Sequence, residues 1–363
     1  MDALKQDNEL ETYFQNKFSS EDISTISSEE NSCVKFWENY LETGNFSAFQ
    51  ILKNFYPQLC FPIQTDIHKT GDYINAVLKG KDSYRTLEEK LELNDAAGLK
   101  IKIHNSIAGT IPVVSINDND DFTSLVQSFL HKNNPAPIPQ SMGAFLASGI
   151  NNWARIHNVK EKWIVNNPLG NWNSEFSENI LPNPEMYKDK IIVLSTKPYS
   201  NVPADQLGLL QEKWTAFSYT IRLEHECTHL YTLKRYGSAS NNLHDELIAD
   251  YIGICKAFGR YNKEWMLAFM GLENYPHYRE GARLENYLKN IQIHEDDFQK
   301  LTDTIKNAIE TIARFDDELG PIKSDKDQIA RIESLCETDL IDIASQEGGY
   351  MLVTKYNEKV LKS

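Results

Sequence analysis

Apolar residues recur mainly at spacings of three and four along this chain, which is the pattern of amphipathic helices. The pattern first appears at residues 34–56, returns at 141–159, and predicts several further helices after residue 257. Two other segments are typical of strands: the alternating run at 99–118 predicts a hairpin with an Ala-Gly turn, and KIIVLST at 190–196 predicts a short strand. The sequence therefore predicts a mostly helical α+β fold with a small sheet.

The strongest cluster of helix- and strand-breaking residues is NNPAPIP at 133–139, and it predicts a domain boundary. We expect residues 1–35, which are polar and acidic, to be mobile, and residues 18–32 most of all. Residues 36–138 are then a mixed helix and strand domain, and residues 139–363 a second domain that ends in helices.

Two helices are predicted in the middle of the second domain. The first runs from about Val202, with a break, to Gly237, a typical C-terminal stop. The second begins after Asn241 and Asn242, which suit an N-cap, and ends before Gly259.

The first of these helices contains the pentapeptide His225-Glu226-Cys227-Thr228-His229. His225 and His229 are four residues apart, so both imidazoles lie on one face and can bind a single ion. Glu226 then projects beside the ion, where a general base is useful. A chance match on an ordinary helix remains the alternative interpretation of this motif alone.

The second helix supplies two carboxylates on one face. Glu246 and Asp250 are four residues apart, and catalytic zinc usually has three protein ligands. Glu246 is therefore the candidate third ligand. Asp250, one turn on, can accept a hydrogen bond from the outer ring nitrogen of a ligand histidine.

The H-E-x-x-H of residues 225–229, followed by E-x-x-A-D at 246–250, resembles the gluzincin branch of the zincin metallopeptidases. The resemblance covers roughly residues 204–258, and it implies a zincin-like fold for the second domain with one zinc ion per chain. It also implies that the strand at 190–196 is the edge strand presented to substrate. The connection of 16 residues between His229 and Glu246 is short for this branch. No particular peptidase family is therefore assigned, and endo- and exopeptidase action both stay open.

A zinc hydrolase also needs a donor for the oxyanion of its tetrahedral intermediate. Residues 273–287 concentrate side chains of this kind, and within them His277 and Tyr278 are our predicted donors. Surface or packing roles are the alternative for both. The other candidates in the segment are Tyr275, Arg279 and Arg283.

Several residues near the motif have simpler expected roles. Cys227 points away from the two histidines and is expected in the core. Arg222 is expected to be solvated or ion-paired, and His244 and Asp245 to be capping or surface groups. Core packing is favoured over a substrate cleft for the tryptophans at 153, 163 and 172.

The formal net charge of −15 and the pI near 5.1 disfavour binding to nucleic acid or to anionic membranes. The five scattered cysteines indicate a reducing compartment, so we expect a cytoplasmic protein. The resemblance to metallopeptidases implies a peptide or protein substrate.

Three functions are compatible with these residues. The leading hypothesis is a zinc metallopeptidase, or an amide hydrolase with the same site. The second is a degenerate zincin in which a structural metal holds two helices of a binding protein. The third is a di-iron carboxylate protein, but that site needs a second E-x-x-H on a partner helix, and the region contains none.

Overall fold

The computed structural model of the chain describes residue 10 and residues 12–18, 32–42, 46–87, 89–237, 242–288 and 294–362. Helices dominate these ranges, and one small sheet accompanies them, which confirms the predicted α+β class. The α-helices of five or more residues are α1 (Ser32–Glu42), α2 (Ala48–Phe55), α3 (Asn119–Leu130), α4 (Trp153–Asn166), α5 (Gln211–Tyr236), α6 (Leu243–Phe258), α7 (Lys263–Met270), α8 (Glu295–Leu319), α9 (Asp325–Cys336), α10 (Leu340–Ala344) and α11 (Gly348–Lys362). The strands are β1 (Lys100–Ser106), β2 (Gly109–Ile116), β3 (Ala144–Asn151) and β4 (Lys188–Ser195).

The sheet has the strand order β1-β2-β4-β3. β1 and β2 form the predicted antiparallel hairpin, β2 and β4 are parallel, and β3 and β4 are antiparallel. The predicted strand at 190–196 is present as β4. It is an inner strand, however, so the expectation that it forms the edge next to the substrate is wrong, and β3 occupies that edge.

Residues 141–159 were predicted to be one helix, but they form β3 followed by the first half of α4. A short apolar run such as AFLA does not distinguish a strand from a helix, so pairing with β4 decides its conformation. Helix α4 begins immediately afterwards, because the side chain of Asn152 caps it by accepting a hydrogen bond from the backbone N–H of Arg155.

The sheet crosses the predicted domain boundary. β1 and β2 precede residue 138, while β3 and β4 follow it, and pairs such as Val113 with Ile192 join the two sides. The boundary between residues 138 and 139 therefore cuts through one hydrogen-bonded sheet. In the predicted mobile segment, residues 19–31 lie outside the described residues. Leu10, Phe14 and Phe18, by contrast, are buried in the core.

Side chains alternate between two hydrophobic clusters on the two faces of the sheet. In β4, Ile192 and Leu194 face a cluster that includes residues of α5 and α6, whereas Ile191 and Val193 face a cluster with α1, α2 and α3. This alternation follows from the two-residue period of a strand. The sheet thus packs directly against the helix that contains the histidine motif.

Helices α5 and α6 lie against each other. A Cβ on Gly253 of α6 would lie 2.7 Å from the carbonyl oxygen of Ile221 in α5, so only glycine permits this approach. α5 ends at Gly237, whose φ is 70°, and α6 ends at Gly259, whose φ is 91°, as predicted. The predicted break is a short turn before α5, and Asn242 is the N-cap of α6. Asn241 lies outside the described residues.

The second half of the chain ends in the predicted series of helices, α7 to α11. No helix in the described ranges is both long enough and apolar enough to cross a membrane.

Candidate metal centre

Three side-chain atoms from α5 and α6 converge on one point. The Nε2 atoms of His225 and His229 are 3.0 Å apart, and each lies 3.5 Å from a carboxylate oxygen of Glu246. In a tetrahedral zinc site with bonds of about 2.0–2.1 Å, ligand atoms are separated by roughly 3.3 Å. The two 3.5 Å distances, which run to Oε2 and Oε1 of Glu246, are close to this value, and one donor atom from each residue lies within 4.8 Å of the others. The three residues that the sequence singled out as candidate ligands could therefore hold a metal ion.

The outer nitrogens of both histidines face carboxylates. Nδ1 of His225 is 2.7 Å from Oδ1 of Asp250, and Nδ1 of His229 is 3.1 Å from Oδ2 of Asp245. With the ring protons on Nδ1, where they face these carboxylates, the Nε2 lone pairs of the two histidines point at each other. Two lone pairs at 3.0 Å repel unless a cation or a proton lies between them. The donor set therefore fits a cation.

Asp250 contacts His225, a candidate ligand, as the spacing of the sequence suggested. Asp245 was expected to be a capping or surface group, and this is wrong: its side chain is fully buried against His229. The reason is that α6 is buried along residues 243–255 and offers no solvent-exposed face in its first turns. No polar side of α6 was therefore available for Asp245 to occupy.

Arg283, which lies far away in sequence, pairs with two carboxylates of α6, those of Glu246 and Asp250. Its Nη2 is 2.8 Å from Oε2 of Glu246 and 2.8 Å from Oδ2 of Asp250. Its Nη1 donates to the hydroxyl of Tyr199 at 3.0 Å, and its Nε donates to the hydroxyl of Tyr287 at 2.5 Å. The N–H groups of Arg283 are therefore used to position the ligand and its neighbours.

Two tyrosines complete this network. The hydroxyl of Tyr199 donates to Oδ1 of Asp250 at 2.5 Å, and the hydroxyl of Tyr287 donates to Oε2 of Glu246 at 2.8 Å. Neither tyrosine was identified from the sequence. Tyr199 belongs to the loop between β4 and α5, and no motif marks it.

The two glutamates of the site differ in proton affinity. Burial alone would raise the pKa of Glu246, but its neighbours His229, His225 and Arg283 hold that pKa below its ordinary value. For Glu226, burial raises the pKa, and the nearby histidines offset only part of that rise. Glu246 is thus suited to be an anionic ligand, and Glu226 to exchange protons.

A cavity of about 750 Å³ opens onto these groups. One wall is helix α5 with His225, Glu226 and His229, and another is β3 together with the residues that precede it. The side chain of Glu226 forms no hydrogen bond or ion pair with another residue in the described ranges. Its carboxylate is therefore available to a molecule in the cavity.

The structure places neither His277 nor Tyr278 at this cavity. His277 is exposed, and the hydroxyl of Tyr278 donates to the carbonyl oxygen of Ala282. The intervening turn, closed by a bond from the backbone N–H of Arg279 to the carbonyl of Gly271, keeps both side chains away from the ligands. The prediction of His277 and Tyr278 as oxyanion donors therefore has no support in their positions. The same segment instead contributes Arg283 and Tyr287 to the site.

The remaining sequence-based expectations have mixed outcomes. Cys227 is fully buried in the core, as predicted. His244 is also buried and contacts the carbonyl oxygen of Leu335, so its predicted surface or capping role is wrong. Trp153 is a core residue that donates to the carbonyl of Val77. The tryptophans at 153, 163 and 172 do not line the cavity described above.

Buried charge at the site is unbalanced. Four carboxylates lie around the cavity or against the histidines, on Glu226, Asp245, Glu246 and Asp250, whereas two guanidinium groups, of Arg222 and Arg283, lie among them. With all of them ionised, a divalent cation would neutralise the difference. Unpaired buried charge is costly, so this balance also favours a bound metal.

Comparison with known proteins identifies a family but no activity. The chain matches no curated protein and no solved structure. Residues 2–347 match the model of a family described as "Family of unknown function (DUF7005)". Because this match spans most of the chain, the protein belongs to the DUF7005 family.

Proposed function

We propose that this protein is a zinc-dependent peptidase or amide hydrolase of the gluzincin type. His225, His229 and Glu246 are the zinc ligands, and Glu226 is the general base. The observation that supports this most strongly is the position of Glu226: its carboxylate faces the cavity that the three converging ligand atoms also line. A purely structural metal would need no such group next to an open cavity.

The donor set favours zinc among the common metals. Two imidazole nitrogens and one carboxylate oxygen suit zinc, whereas calcium and magnesium prefer oxygen ligands alone. Three protein ligands also leave a fourth position open, as catalytic zinc sites do. Asp245 and Asp250 support the two histidines from outside, an arrangement that raises ligand basicity and fixes ring orientation.

Zinc, when bound, would polarise the scissile carbonyl and make water a stronger acid. Glu226 would take a proton from the attacking water and pass it to the leaving amine. Asp250 and Arg283 would hold His225 and Glu246 in place during both transfers.

The position of β3 favours a peptide as substrate. This strand is an edge of the sheet, and Ala144, Phe145 and Leu146 line the cavity beside His225 and Glu226. An extended peptide can add to an edge strand through main-chain hydrogen bonds. Such a peptide would lie alongside the predicted base and ligands.

The test combines metal content with turnover. We expect about one zinc per chain in protein purified without chelator, and loss of that zinc in His225→Ala. Glu226→Gln should keep its zinc and lose hydrolysis of a mixed peptide library, followed by mass spectrometry, by about 10²- to 10⁴-fold. His157→Ala, which removes an exposed histidine on α4, is the matched control and should change neither result.

Two outcomes would contradict the proposal. Full zinc in His225→Ala would remove that residue from the ligand set, and two irons in the wild type would indicate a di-iron protein. Zinc without any hydrolysis in the wild type, with Glu226→Gln unchanged, would favour a non-catalytic zincin.

A further inference from the structure

Arg222 lies three residues before His225 on α5 and is almost completely buried, with 1% of its surface exposed. One N–H on Nη1 donates to the carbonyl of Ser195 at 3.3 Å, and one on Nη2 donates to the carbonyl of Pro198 at 2.8 Å. A guanidinium has five N–H donors. The other three have no hydrogen-bond partner among the described residues, although Arg222 lines the cavity.

The other buried arginines of the described chain are all paired with carboxylates. Arg155 pairs with Asp189, and Arg283 pairs with Glu246 and Asp250. Arg331 pairs with Asp316 and Asp327. Arg222 forms no ion pair with any residue in the described ranges. A buried cation without a carboxylate is costly, and in a chain of net charge −15 acidic partners are plentiful. Its guanidinium carbon instead lies 5.5 Å from the ring centroid of Tyr199, and the charge of Glu226, one turn further along α5, acts on it without a direct contact. The N–H groups that have no partner therefore leave a place for an external anion.

A second cation lies near Arg222. Lys197 is half-buried with its ammonium 5.5 Å from the ring centroid of Phe122, and it too forms no ion pair with a described residue. Burial and the charge of Arg222 lower the pKa of Lys197 to about 8. Neither Arg222 nor Lys197 therefore has a carboxylate at ion-pair distance among the described residues.

The backbone holds the guanidinium in a fixed position. A Cβ on Gly143 would lie 2.4 Å from Nε and 2.6 Å from Nη2 of Arg222, so the bare backbone of Gly143 packs on the guanidinium. The carbonyl of Gly143 accepts a hydrogen bond from the N–H of Ser195, which joins two of the segments around Arg222. Gly143 also lines the cavity and directly precedes β3.

We propose that Arg222 binds a carboxylate of the substrate, so that the cavity selects peptides with a carboxylate close to the scissile amide. This inference rests on the function proposed above. The planar fork of a guanidinium matches the two oxygens of a carboxylate. Because Gly143 directly precedes β3 and packs on the guanidinium of Arg222, a peptide paired with that strand would place its carboxylate at this end. The carboxylate can belong to the chain terminus or to an acidic side chain.

Three hydroxamates would test this on the zinc-loaded, full-length protein. All have a succinyl hydroxamate as the zinc-binding end: succinyl-Leu-Ala with a free terminal carboxylate, the same compound as its carboxamide, and succinyl-Leu-Glu carboxamide. Affinities are measured by isothermal titration calorimetry. A preference for the first over the second indicates recognition of the chain end. A preference for the third over the second indicates recognition of an acidic side chain.

In the wild type we expect at least one carboxylate ligand to bind about tenfold to a hundredfold more tightly than the neutral one. In Arg222→Gln this ratio should fall to near one, while zinc content and the affinity of the neutral ligand stay unchanged. Arg279→Gln makes the same substitution outside the cavity, where Arg279 pairs with Glu273, and should keep the wild-type ratio. Gly143→Ala displaces the guanidinium but keeps its charge, so it should also lower the affinity ratio. It replaces Arg222→Gln as the test variant if Arg222→Gln fails to fold.

Two results would overturn the inference while leaving the metal site intact. One is an equal affinity of the wild type for charged and neutral ligands. The other is an equal loss for all three ligands in Arg222→Gln, which would indicate a role at the reacting carbonyl. If no hydroxamate binds to the wild type, the proposed zinc site is wrong, and the proposed role of Arg222 is then wrong as well.

Discussion

Asp250→Asn is the substitution that tests the architecture of the site most directly. Oδ1 of Asp250 faces Nδ1 of His225 at 2.7 Å and the hydroxyl of Tyr199 at 2.5 Å, while Oδ2 faces Nη2 of Arg283 at 2.8 Å. Asparagine has the same shape but replaces one oxygen with an N–H donor. Whichever oxygen is replaced, a donor then meets a donor, so neither orientation of the amide satisfies all three partners.

Two magnitudes follow from these contacts. Loss of a carboxylate behind a metal-ligating histidine weakens metal binding about 10- to 100-fold, which is about 1.4–2.7 kcal/mol. Removal of one partner from a buried ion pair costs about 3–5 kcal/mol of folding free energy. Glu246 still accepts from Arg283 in the variant, so we expect the lower end, about 3 kcal/mol, for the metal-free protein.

Zinc affinity is measured by competition with a fluorescent chelator at pH 7, and stability by urea unfolding in EDTA. Asp245→Asn is the matched control, because Asp245 lies next to His229 but contacts no arginine among the described residues. It should weaken zinc binding with a smaller loss of stability than Asp250→Asn. A zinc Kd within about twofold of wild type in Asp250→Asn would refute the support assigned to this carboxylate.

Two further predictions concern packing and pH. Gly253→Ala should lower the free energy of unfolding by about 1–3 kcal/mol, because the new Cβ would lie 2.7 Å from the carbonyl oxygen of Ile221. Gly349→Ala is the control and should be nearly neutral, because nothing lies within 4 Å of its Cβ. Equal losses of stability in the two variants would contradict this reason. Burial lowers the pKa of Lys197 from 10.5 to about 8, so between these pH values the folded chain binds fewer protons at this residue than the unfolded chain does. The stability of the wild type relative to Lys197→Met should therefore rise with pH across that window. Urea unfolding at pH 7.5 and pH 10 measures the difference, and a fall or no change would show that burial does not penalise this ammonium.

Local signals in the sequence were sufficient for the two site helices. A glycine stop ends α5 and α6, and an asparagine cap starts α6, because these residues act on the backbone next to them. The four-residue spacings within each helix likewise placed His225 beside His229, and Glu246 beside Asp250. Helical geometry alone fixes such neighbours.

Strand β3 shows where local patterns were insufficient. Its apolar residues fit a helix as well as a strand, and only pairing with β4 chose between them. The same pairing moved the edge of the sheet away from β4, and it joined segments on both sides of the predicted domain boundary. Non-local hydrogen bonds of this kind leave no periodic signal in one segment.

By itself, the sequence determined the candidate ligands, the candidate base and one carboxylate beside a candidate ligand, since each follows from spacing along a helix. Only the tertiary structure decided that Asp245 faces His229 and that Arg222 is buried without an ion-pair partner among the described residues. It also decided that Arg283 and Tyr287 come to the site in place of His277 and Tyr278. These contacts join residues up to tens of positions apart. They depend on how α5, α6 and the sheet pack together, and burial then makes each charged contact strong enough to matter.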